Sequence, residues 1–250
     1  MIHLSVVIPS YNEMANLRKG VLDKVKRFLD DKKYEYEVIV VDDGSNDGSI
    51  EFTREFVKEN KEFRLLENKH MGKAGAVTTG MLDAKGMYIL FTDMDQATPI
   101  EEVDNLMEYV SEKKYDVAIG SRTIGELGYP ISRRILHEAG IFLRKTFAGL
   151  PEIYDTQCGF KLFTQEASQK VFSKFRDIHH GFKEISSSAV QFGFDVELLI
   201  IAKNLGYKIK EVPVHWLYVE SRRVSPLRDS VDGILNLFRI RKKILQSIYK

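Results

Sequence analysis

Two aspartates directly follow an apolar run, and their spacing is that of a metal site. Asp93 and Asp95 stand at i and i+2 after the run MYILFT. Two carboxylates so placed repel each other unless a cation lies between them, and hard oxygen ligands suit Mg²⁺ or Mn²⁺. The sequence therefore predicts a divalent metal whose remaining ligands are water and substrate phosphates. The alternative is that one aspartate caps a helix starting at Pro99 and the other is solvated.

A second acidic cluster lies in a Gly-bearing turn after another apolar run. It contains Asp42, Asp43 and Asp47 within the segment DDGSNDGS. Ser45, Asn46 or Asp47 can cap the following helix, and Asp42 or Asp43 is expected to face a nucleotide. Because three carboxylates repel an anion, a phosphate bound at this helix start needs a metal ion or a cation nearby.

The stretch NKHMGKAGA supplies such a cation. Gly72 and Gly75 allow close backbone approach at a helix start, and Lys73 adds positive charge where a diphosphate could lie. The GxxxxGK[ST] spacing of a Walker A loop is missing. No GxGxxG follows the first strand either, which weakens the case for an NAD enzyme. Taken alone, this stretch is a weak motif.

These residues stand at the ends of predicted strands. Short apolar runs alternate with helical patterns, as in βαβ units on a mostly parallel sheet. The runs are 4–8, 36–41, 63–67, 87–92 and 116–121, and the helical patterns cover 13–30, 47–60, 72–84 and 100–113. Continuous apolar runs indicate strands covered on both faces. Ligands of such sheets bind outside the carboxyl ends of the strands, where the aspartates and Arg122 stand.

The alternation ends after residue 122. Helices are expected near 132–148, 165–175, 194–205 and 229–249, and a strand-like run, YKIKEVPVHWLY, precedes the last of them. No fixed-period repeat or Pro/Gly-rich linker is visible. We therefore expect an α/β catalytic domain over residues 1–225 and a basic amphipathic helix over residues 226–250.

The composition is that of one folded domain. The 250 residues are 44% hydrophobic and 29% charged, which excludes disordered and collagen-like chains. The single cysteine, Cys158, cannot form an internal disulfide, and no run approaches the roughly 18 apolar residues of a membrane span.

The net charge of +1 hides an asymmetry. Residues 1–125 hold 17 Lys and Arg against 23 Asp and Glu, whereas residues 126–250 hold 20 against 13.

Five motifs in order resemble the family 2 glycosyltransferases with the GT-A fold: VVIPSYNE, VVDDGSNDGS, NKHMGKAGAVTTGM, FTDMDQATP and the Arg of IGSR. They span residues 1–122. The later segments DTQCGFKLF and FGFDVELLIIAKNLGYKIKEVPVHW are similar to the polyprenyl-phosphate (dolichyl-phosphate) glucosyl- and mannosyltransferases of that family. The resemblance implies a GT-A fold, which is Rossmann-like, with a mostly parallel central sheet flanked by helices. It also implies a metal-dependent, inverting hexosyltransferase.

The resemblance also implies roles for individual residues. Asp93 and Asp95 match the DxD motif that holds the metal, and Gln96 follows at a slightly different spacing from the glutamine that touches the metal in several members. The nucleotide-sugar site would comprise Pro9, Tyr11, Glu13, Asp42, Asp43, Lys73, Asp93 and Met94. Catalytic roles would fall to Asp95, Arg122, Lys161 and Asp155, with Lys161 of CGFKLF facing the acceptor phosphate.

The chemistry of the acceptor decides whether a base is needed. A lipid monophosphate is anionic at neutral pH, so the enzyme has only to align it and to stabilise the departing nucleoside diphosphate. Transfer to a hydroxyl needs a carboxylate base, for which Asp155 and Asp195 are available, although Asp195 could instead be an N-cap. We expect hexose transfer to polyprenyl phosphate, with UDP-glucose favoured over GDP-mannose as the donor. The alternative is a saccharide or other hydroxyl acceptor in cell-surface polysaccharide or glycoconjugate synthesis.

The last predicted helix combines a wide apolar face with flanking Arg239, Arg241, Lys242 and Lys243. Such a helix can lie on an anionic leaflet, and residues 132–148 form a second candidate. The alternative is that both helices pack on the domain or on another subunit. We expect a peripheral protein on the cytoplasmic membrane face that binds no nucleic acid. The residues His179, His180 and Trp216 are assigned no chemistry.

Overall fold

One seven-stranded sheet organises the residues that the computed structural model describes, which are 1–122, 149–182, 193–217 and 226–249. The strands are β1 (Leu4–Ser10), β2 (Tyr36–Asp42), β3 (Phe63–Glu67), β4 (Tyr88–Thr92), β5 (Val117–Arg122), β6 (Phe160–Thr164) and β7 (Ile209–Val214). Their order across the sheet is β3-β2-β1-β4-β6-β5-β7.

The sheet is mixed. The pairs β1–β2, β1–β4, β2–β3 and β5–β7 are parallel, whereas β6 runs antiparallel to both β4 and β5. Six strands overlap the runs that the sequence predicts. The sequence pattern does not predict β6, because Lys161 interrupts its short apolar run. This strand lies inside the sheet, between β4 and β5, and joins the strands β1–β4 to the pair β5–β7.

Eight α-helices occur in the described ranges. They are α1 (Met14–Leu17), α2 (Val21–Asp30), α3 (Ser49–Glu59), α4 (Gly72–Asp83), α5 (Val103–Met107), α6 (Gln165–Ile178), α7 (Phe194–Asn204) and α8 (Pro226–Leu245). A 3-10 turn (Ile100–Glu102) precedes α5 and a π turn (Glu108–Glu112) follows it. The helix expected over 13–30 is divided at Gly20, whose φ of 74° is outside the helical region. The helix expected over 132–148 lies outside the described residues.

Helices cover both faces of the sheet, which confirms the prediction from the continuous apolar runs. Alternate strand residues enter two separate cores. One core contains Val7, Ile39 and Phe91 together with side chains of α4, α6 and α7. The other contains Val6, Val38 and Leu90 together with side chains of α2 and α5.

Helix α4 packs unusually close to the sheet. A methyl group at Gly80 would lie 2.8 Å from Cγ2 of Val41 and closer still to Val7. Only a glycine therefore lets the helix approach the strands at this distance. Since Lys73 stands in the first turn of α4, this packing sets the position of its backbone relative to the strands.

The last helix, α8, packs on the domain through one side. Ile240 and the following Tyr249 are buried in the same core as α7, and a methyl group at Gly193 would lie 3.2 Å from Cδ1 of Ile240. Leu235, Phe238 and Leu245 are exposed. In the described ranges, no helix has the length and apolar character needed to cross a bilayer.

Candidate active site

The predicted site residues gather at the carboxyl ends of the strands. In the register of the sheet, Ser10 of β1 is level with Asp42 of β2, so the loops that follow these strands emerge side by side. The loop after β4 carries Asp93 and Asp95, and Arg122 ends β5. This edge of the sheet is the place where open α/β sheets bind their ligands.

Hydrogen bonds join the loops after β1 and β2 to each other. The backbone N–H of Asn12 donates to Oγ of Ser45 over 2.8 Å, and the N–H of Glu13 donates to Oγ of Ser49 over 2.9 Å. Ser45 in turn donates to the buried carboxylate of Asp42 through its N–H and its hydroxyl. Asp42 therefore holds the turn together instead of facing a ligand.

Two more predicted residues of this region are held locally. The carboxylate of Glu13 accepts a hydrogen bond of 2.6 Å from the side-chain amide of Asn16. Pro9 is half-buried within β1. Asp47 accepts hydrogen bonds from the N–H groups of Met14 and Ser49, so it stabilises the start of α3, which is one of the outcomes expected from the sequence.

Asp43 is the acidic residue of this turn that faces the loop before α4. Its carboxylate accepts hydrogen bonds from the N–H groups of Met71 and Gly72, both over 2.8 Å, and contacts Nδ1 of His70 at 2.7 Å. Burial raises the pKa of Asp43, and these hydrogen bonds offset part of that effect. The ring of Tyr11 stacks on His70, with centroids 4.2 Å apart and planes at 13°. Asp43, Tyr11 and His70 thus form one rigid unit.

Lys73 and Asp93 form an ion pair at the centre of the site, with Nζ 2.5 Å from Oδ1. Burial alone would lower the pKa of Lys73, but the carboxylates of Asp93, Asp195 and Asp95 raise it. Gly159 lies against the same carboxylate, because a methyl group there would stand 2.7 Å from Cγ of Asp93. Lys73 and Gly159 therefore fix the orientation of Asp93.

Asp95 and Gln96 continue the turn after Asp93. Oδ1 of Asp95 accepts a hydrogen bond of 3.0 Å from the N–H of Ala97, and burial together with the charge of Asp93 raises the pKa of Asp95. The side-chain amide of Gln96 donates to the backbone carbonyl of Asp93 over 2.9 Å, while its buried Oε1 has no hydrogen-bond partner among the residues that the structure describes. Met94 lies in the hydrophobic core and not at the surface of the site, which corrects its predicted contact with the nucleotide sugar.

The donors present at this turn fit a hard divalent cation. Two neighbouring carboxylates, of which Asp93 raises the pKa of Asp95, and a buried amide oxygen with no hydrogen-bond partner in the described ranges are oxygen ligands of the kind that Mg²⁺ and Mn²⁺ prefer. In the described part of the chain, no group of three or more His, Cys, Asp or Glu side chains is arranged to hold a metal. An ion bound here would therefore need further ligands from water or from a bound phosphate.

Arg122 and Asp155 form a bidentate ion pair. Nε of Arg122 lies 2.7 Å from Oδ2 and Nη2 lies 2.9 Å from Oδ1. Burial alone would raise the pKa of Asp155, but the hydrogen bonds and charge of Arg122 outweigh it and lower the pKa to about 2. The backbone N–H groups of Tyr154 and Asp155 donate to the carboxylate of Glu211. Asp155 is thus an ionised group that orients Arg122, and a pKa so low makes it a poor general base.

Lys161 is fully buried beneath the site. Its Nζ lies 2.6 Å from Oδ1 of Asp195, at the start of α7, and also donates to the backbone carbonyl of Cys158. The ammonium lies 5.2 Å from the centroid of the Phe91 ring. A side chain with no exposed surface cannot reach an incoming phosphate, so the predicted contact of Lys161 with the acceptor does not match its position.

Four residues of the site carry contacts that the sequence analysis did not assign. His70 holds Asp43, Gly159 lies against Asp93, Asp195 pairs with Lys161, and Trp216 places its ring 5.9 Å from the guanidinium carbon of Arg122. His70 lies within the stretch NKHMGKAGA and Gly159 lies within CGFKLF. Their membership of these motifs could have identified both as site residues. Asp195 and Trp216 lie within FGFDVELLIIAKNLGYKIKEVPVHW, but that segment does not reveal their partners, because the pairing of β7 with β5 is what brings Trp216 to Arg122.

Each of the three cations of the site is paired with a carboxylate. Lys73 contacts Asp93, Arg122 contacts Asp155 and Lys161 contacts Asp195. Asp95 adds a carboxylate beyond these three pairs. A bound divalent cation would reduce the negative charge at this turn and so favour the binding of a diphosphate.

The chain matches known proteins over most of its length. Residues 5–172 match the model of "Glycosyl transferase family 2". The chain is 35% identical over 258 residues to the dolichyl-phosphate beta-glucosyltransferase of Drosophila melanogaster, which covers 96% of the chain and 74% of that protein. It is 31% identical over 266 residues to the enzyme of the same name from Dictyostelium discoideum, covering 100% of the chain and 77% of that protein.

Solved structures share the fold. The mannosyl-3-phosphoglycerate synthase from Rubrobacter xylanophilus superposes with a TM-score of 0.66 at 14% identity, covering 98% of the chain and 74% of that protein. The glucosyl-3-phosphoglycerate synthase from Mycobacterium tuberculosis, crystallised with Mn²⁺, UDP and glucosyl-3-phosphoglycerate, gives a TM-score of 0.61 at 17% identity, covering 96% and 80%. The likeness confirms the GT-A fold that the motifs predict.

Proposed function

The chain belongs to glycosyl transferase family 2, and from this premise we propose that it transfers glucose from UDP-glucose to a polyprenyl phosphate of the dolichyl-phosphate type. It is a glycosyltransferase. The acceptor and the glucosyl group are supported by the names of the relatives from Drosophila melanogaster and Dictyostelium discoideum. The choice of UDP is supported by the glucosyl-3-phosphoglycerate synthase, a neighbour in fold that was crystallised with it.

The pairing of the two candidate bases is the observation that carries the choice of acceptor. Asp155 is held ionised by Arg122 with a pKa of about 2, and Asp195 is paired with the buried Lys161. Transfer to a hydroxyl would need one of these carboxylates as a base. A lipid phosphate is already anionic, so an oxygen of its phosphate can attack C1 of glucose directly. The C1–O bond to the diphosphate then breaks, and UDP leaves with that oxygen.

The donor half of the site lies between Tyr11 and Asp95. The rigid unit of Tyr11, His70 and Asp43 offers aromatic and carboxylate groups for the nucleoside, and Lys73 offers a cation for the diphosphate. Asp93 and Asp95 would hold Mg²⁺ or Mn²⁺, which supplies charge neutralisation to the departing diphosphate when bound. Lys73 would stabilise the same developing charge from the protein side.

One transfer assay tests this function. The purified protein is incubated with Mn²⁺, radiolabelled UDP-glucose or GDP-mannose, and a short polyprenyl phosphate, and the label is counted in the organic phase. We expect label from UDP-glucose, none from GDP-mannose, and loss of the product when EDTA is added. The matching polyprenol, which lacks the phosphate, should accept nothing. Absence of an organic-soluble product from every donor would contradict the proposal.

Attachment to the membrane is the second part of the proposal, and helix α8 supports it. Leu235, Phe238 and Leu245 are 48%, 57% and 72% exposed, and their spacings of three and seven place them on one face. Arg241 and Lys242, also exposed, follow Phe238 by three and four residues on that face. An exposed apolar stripe with basic residues suits an anionic lipid surface on the cytoplasmic side.

Vesicle sedimentation tests this attachment. Vesicles of phosphatidylcholine with added phosphatidylglycerol should pellet the protein, and vesicles of phosphatidylcholine alone should pellet less of it. The double variant Phe238→Glu with Leu245→Glu should stay in the supernatant. Met87→Glu is the matched control, since Met87 is an apolar residue that is 44% exposed and lies outside α8, directly before β4. Equal sedimentation of the double variant and the control would contradict a role for α8.

A further inference from the structure

The residues after β7 form a short segment beside Arg122. Strand β7 pairs in parallel with β5 in a register that places Val214 level with Arg122. The chain then continues through His215, Trp216 and Leu217, which we term the β7 exit segment. Because both strands end at the same edge, this segment enters the site next to the Arg122–Asp155 pair.

Two contacts with described residues hold the β7 exit segment. The Trp216 ring centroid lies 5.9 Å from the guanidinium carbon of Arg122, within the range of a cation–π contact. The backbone N–H of Leu217 donates to the carbonyl oxygen of Ala97 over 2.7 Å. Ala97 is two residues beyond Asp95, so the segment connects the Arg122 side of the site with the Asp93–Asp95 turn.

The segment presents apolar surface beside a cation. Leu217 is 54% exposed although it is tied to the site by its backbone, and Trp216 is half-buried. The contact with Asp155 uses two N–H donors of the Arg122 guanidinium, Nε and one on Nη2, out of the five that an arginine carries. Among the described residues, the other N–H donors of this guanidinium have no acceptor. A cation of this kind next to exposed apolar side chains matches a ligand that has an anionic head and a hydrocarbon tail.

We propose that Trp216 and Leu217 bind the first isoprenoid units of the acceptor while its phosphate lies at Arg122. This inference rests on the proposed function, since it assumes a prenyl phosphate acceptor. The anionic head is drawn to Arg122, and the adjoining apolar units cover Leu217 and the Trp216 ring, whose removal from water favours binding. The segment then selects prenyl phosphates over short, polar phosphates.

Trp216 is the single tryptophan of the chain, so its own fluorescence reports binding directly. Titration with citronellyl phosphate should shift the emission to shorter wavelength and saturate, because the ring loses contact with water. Ethyl phosphate and citronellol, which each lack one half of the ligand, should produce no such shift. An unchanged spectrum with citronellyl phosphate would overturn the proposal.

Kinetics separate this inference from the proposed function. In Trp216→Ala and Leu217→Ser, the KM for citronellyl phosphate should rise about ten-fold, while the KM for UDP-glucose changes by less than about two-fold. Leu205→Ser is the matched control, because Leu205 is 40% exposed and precedes β7 at the opposite edge of the sheet. If the wild type transfers no glucose to any prenyl phosphate, the proposed function fails. If the wild type is active and both variants keep its KM, only this inference fails.

Discussion

The ammonium of Lys73 lies 2.5 Å from Oδ1 of Asp93, so a cation of the protein already sits on the first carboxylate of the Asp93–Asp95 pair. A divalent ion bound at this pair would compete with the ammonium for the same oxygen. Lys73 would be released toward the diphosphate if metal and nucleotide entered together. One side chain would then connect metal binding to nucleotide binding.

Replacement of Lys73 should therefore affect metal binding and turnover in opposite directions. In Lys73→Met, Mn²⁺ should bind the nucleotide-free protein about five-fold more tightly, because an ion pair worth about 1 kcal/mol no longer competes. Turnover should fall about 100-fold, since a cation for the leaving diphosphate is lost. The free Mn²⁺ signal in electron paramagnetic resonance measures the first effect. Lys69→Met, at an exposed lysine of the same stretch, should change neither quantity; weaker Mn²⁺ binding in Lys73→Met would contradict the competition.

Gly159→Ala should impair catalysis without unfolding the protein. The added methyl group would stand 2.7 Å from Cγ of Asp93, so the carboxylate must move. Gly159 does not have a left-handed φ, and alanine is therefore compatible with its backbone. A displacement of about 1 Å lowers turnover by about 100-fold, and the Mn²⁺ concentration for half-maximal rate should rise. The control Gln157→Ala should keep the wild-type rate. An unchanged rate in Gly159→Ala would show that turnover does not depend on the present position of the Asp93 carboxylate.

The buried pair of Lys161 and Asp195 should matter for stability. Removal of one partner leaves a buried charge without its counter-ion, so Lys161→Met should lower the free energy of unfolding by roughly 3–5 kcal/mol. Lys161→Met combined with Asp195→Asn should recover part of this loss, because the uncompensated charge is gone. Urea denaturation of both single variants and the double variant measures the coupling. Additive losses would mean that the two side chains do not act as a pair.

The Arg122–Asp155 pair should make stability depend on pH in a defined window. The pKa of Asp155 falls from 3.8 to about 2 in the folded protein, so its ionised form stabilises the fold above pH 4. This contribution to the free energy of unfolding, roughly 2–3 kcal/mol, is lost as the pH falls from about 4 toward about 2. Asp155→Asn should therefore be less stable than the wild type at pH 7, and the difference should shrink toward pH 2. A difference that stays constant over this range would contradict an ionised Asp155.

The amino-acid sequence by itself determined the elements of the site and their common location. Apolar runs of strand length, each followed by polar residues, specify a sheet whose parallel strands carry those residues to one edge. This is why Asp43, Asp93 and Arg122 lie together as the pattern predicts. The motif NKHMGKAGA placed Lys73 at a helix start, and the structure has it there.

Only the tertiary structure decided which charges are free and which are paired. Asp155 and Arg122 are 33 residues apart in the sequence, and Lys161 and Asp195 are 34 apart. No local pattern encodes such pairs, because they depend on how the antiparallel strand β6 and helix α7 pack against the sheet. That packing buries Lys161, commits Asp155 to Arg122 and brings Trp216 to the edge of the site. Spacing along the sequence specifies which side chains follow each strand. The packing of strands and helices against one another sets the charge, exposure and partners of those side chains.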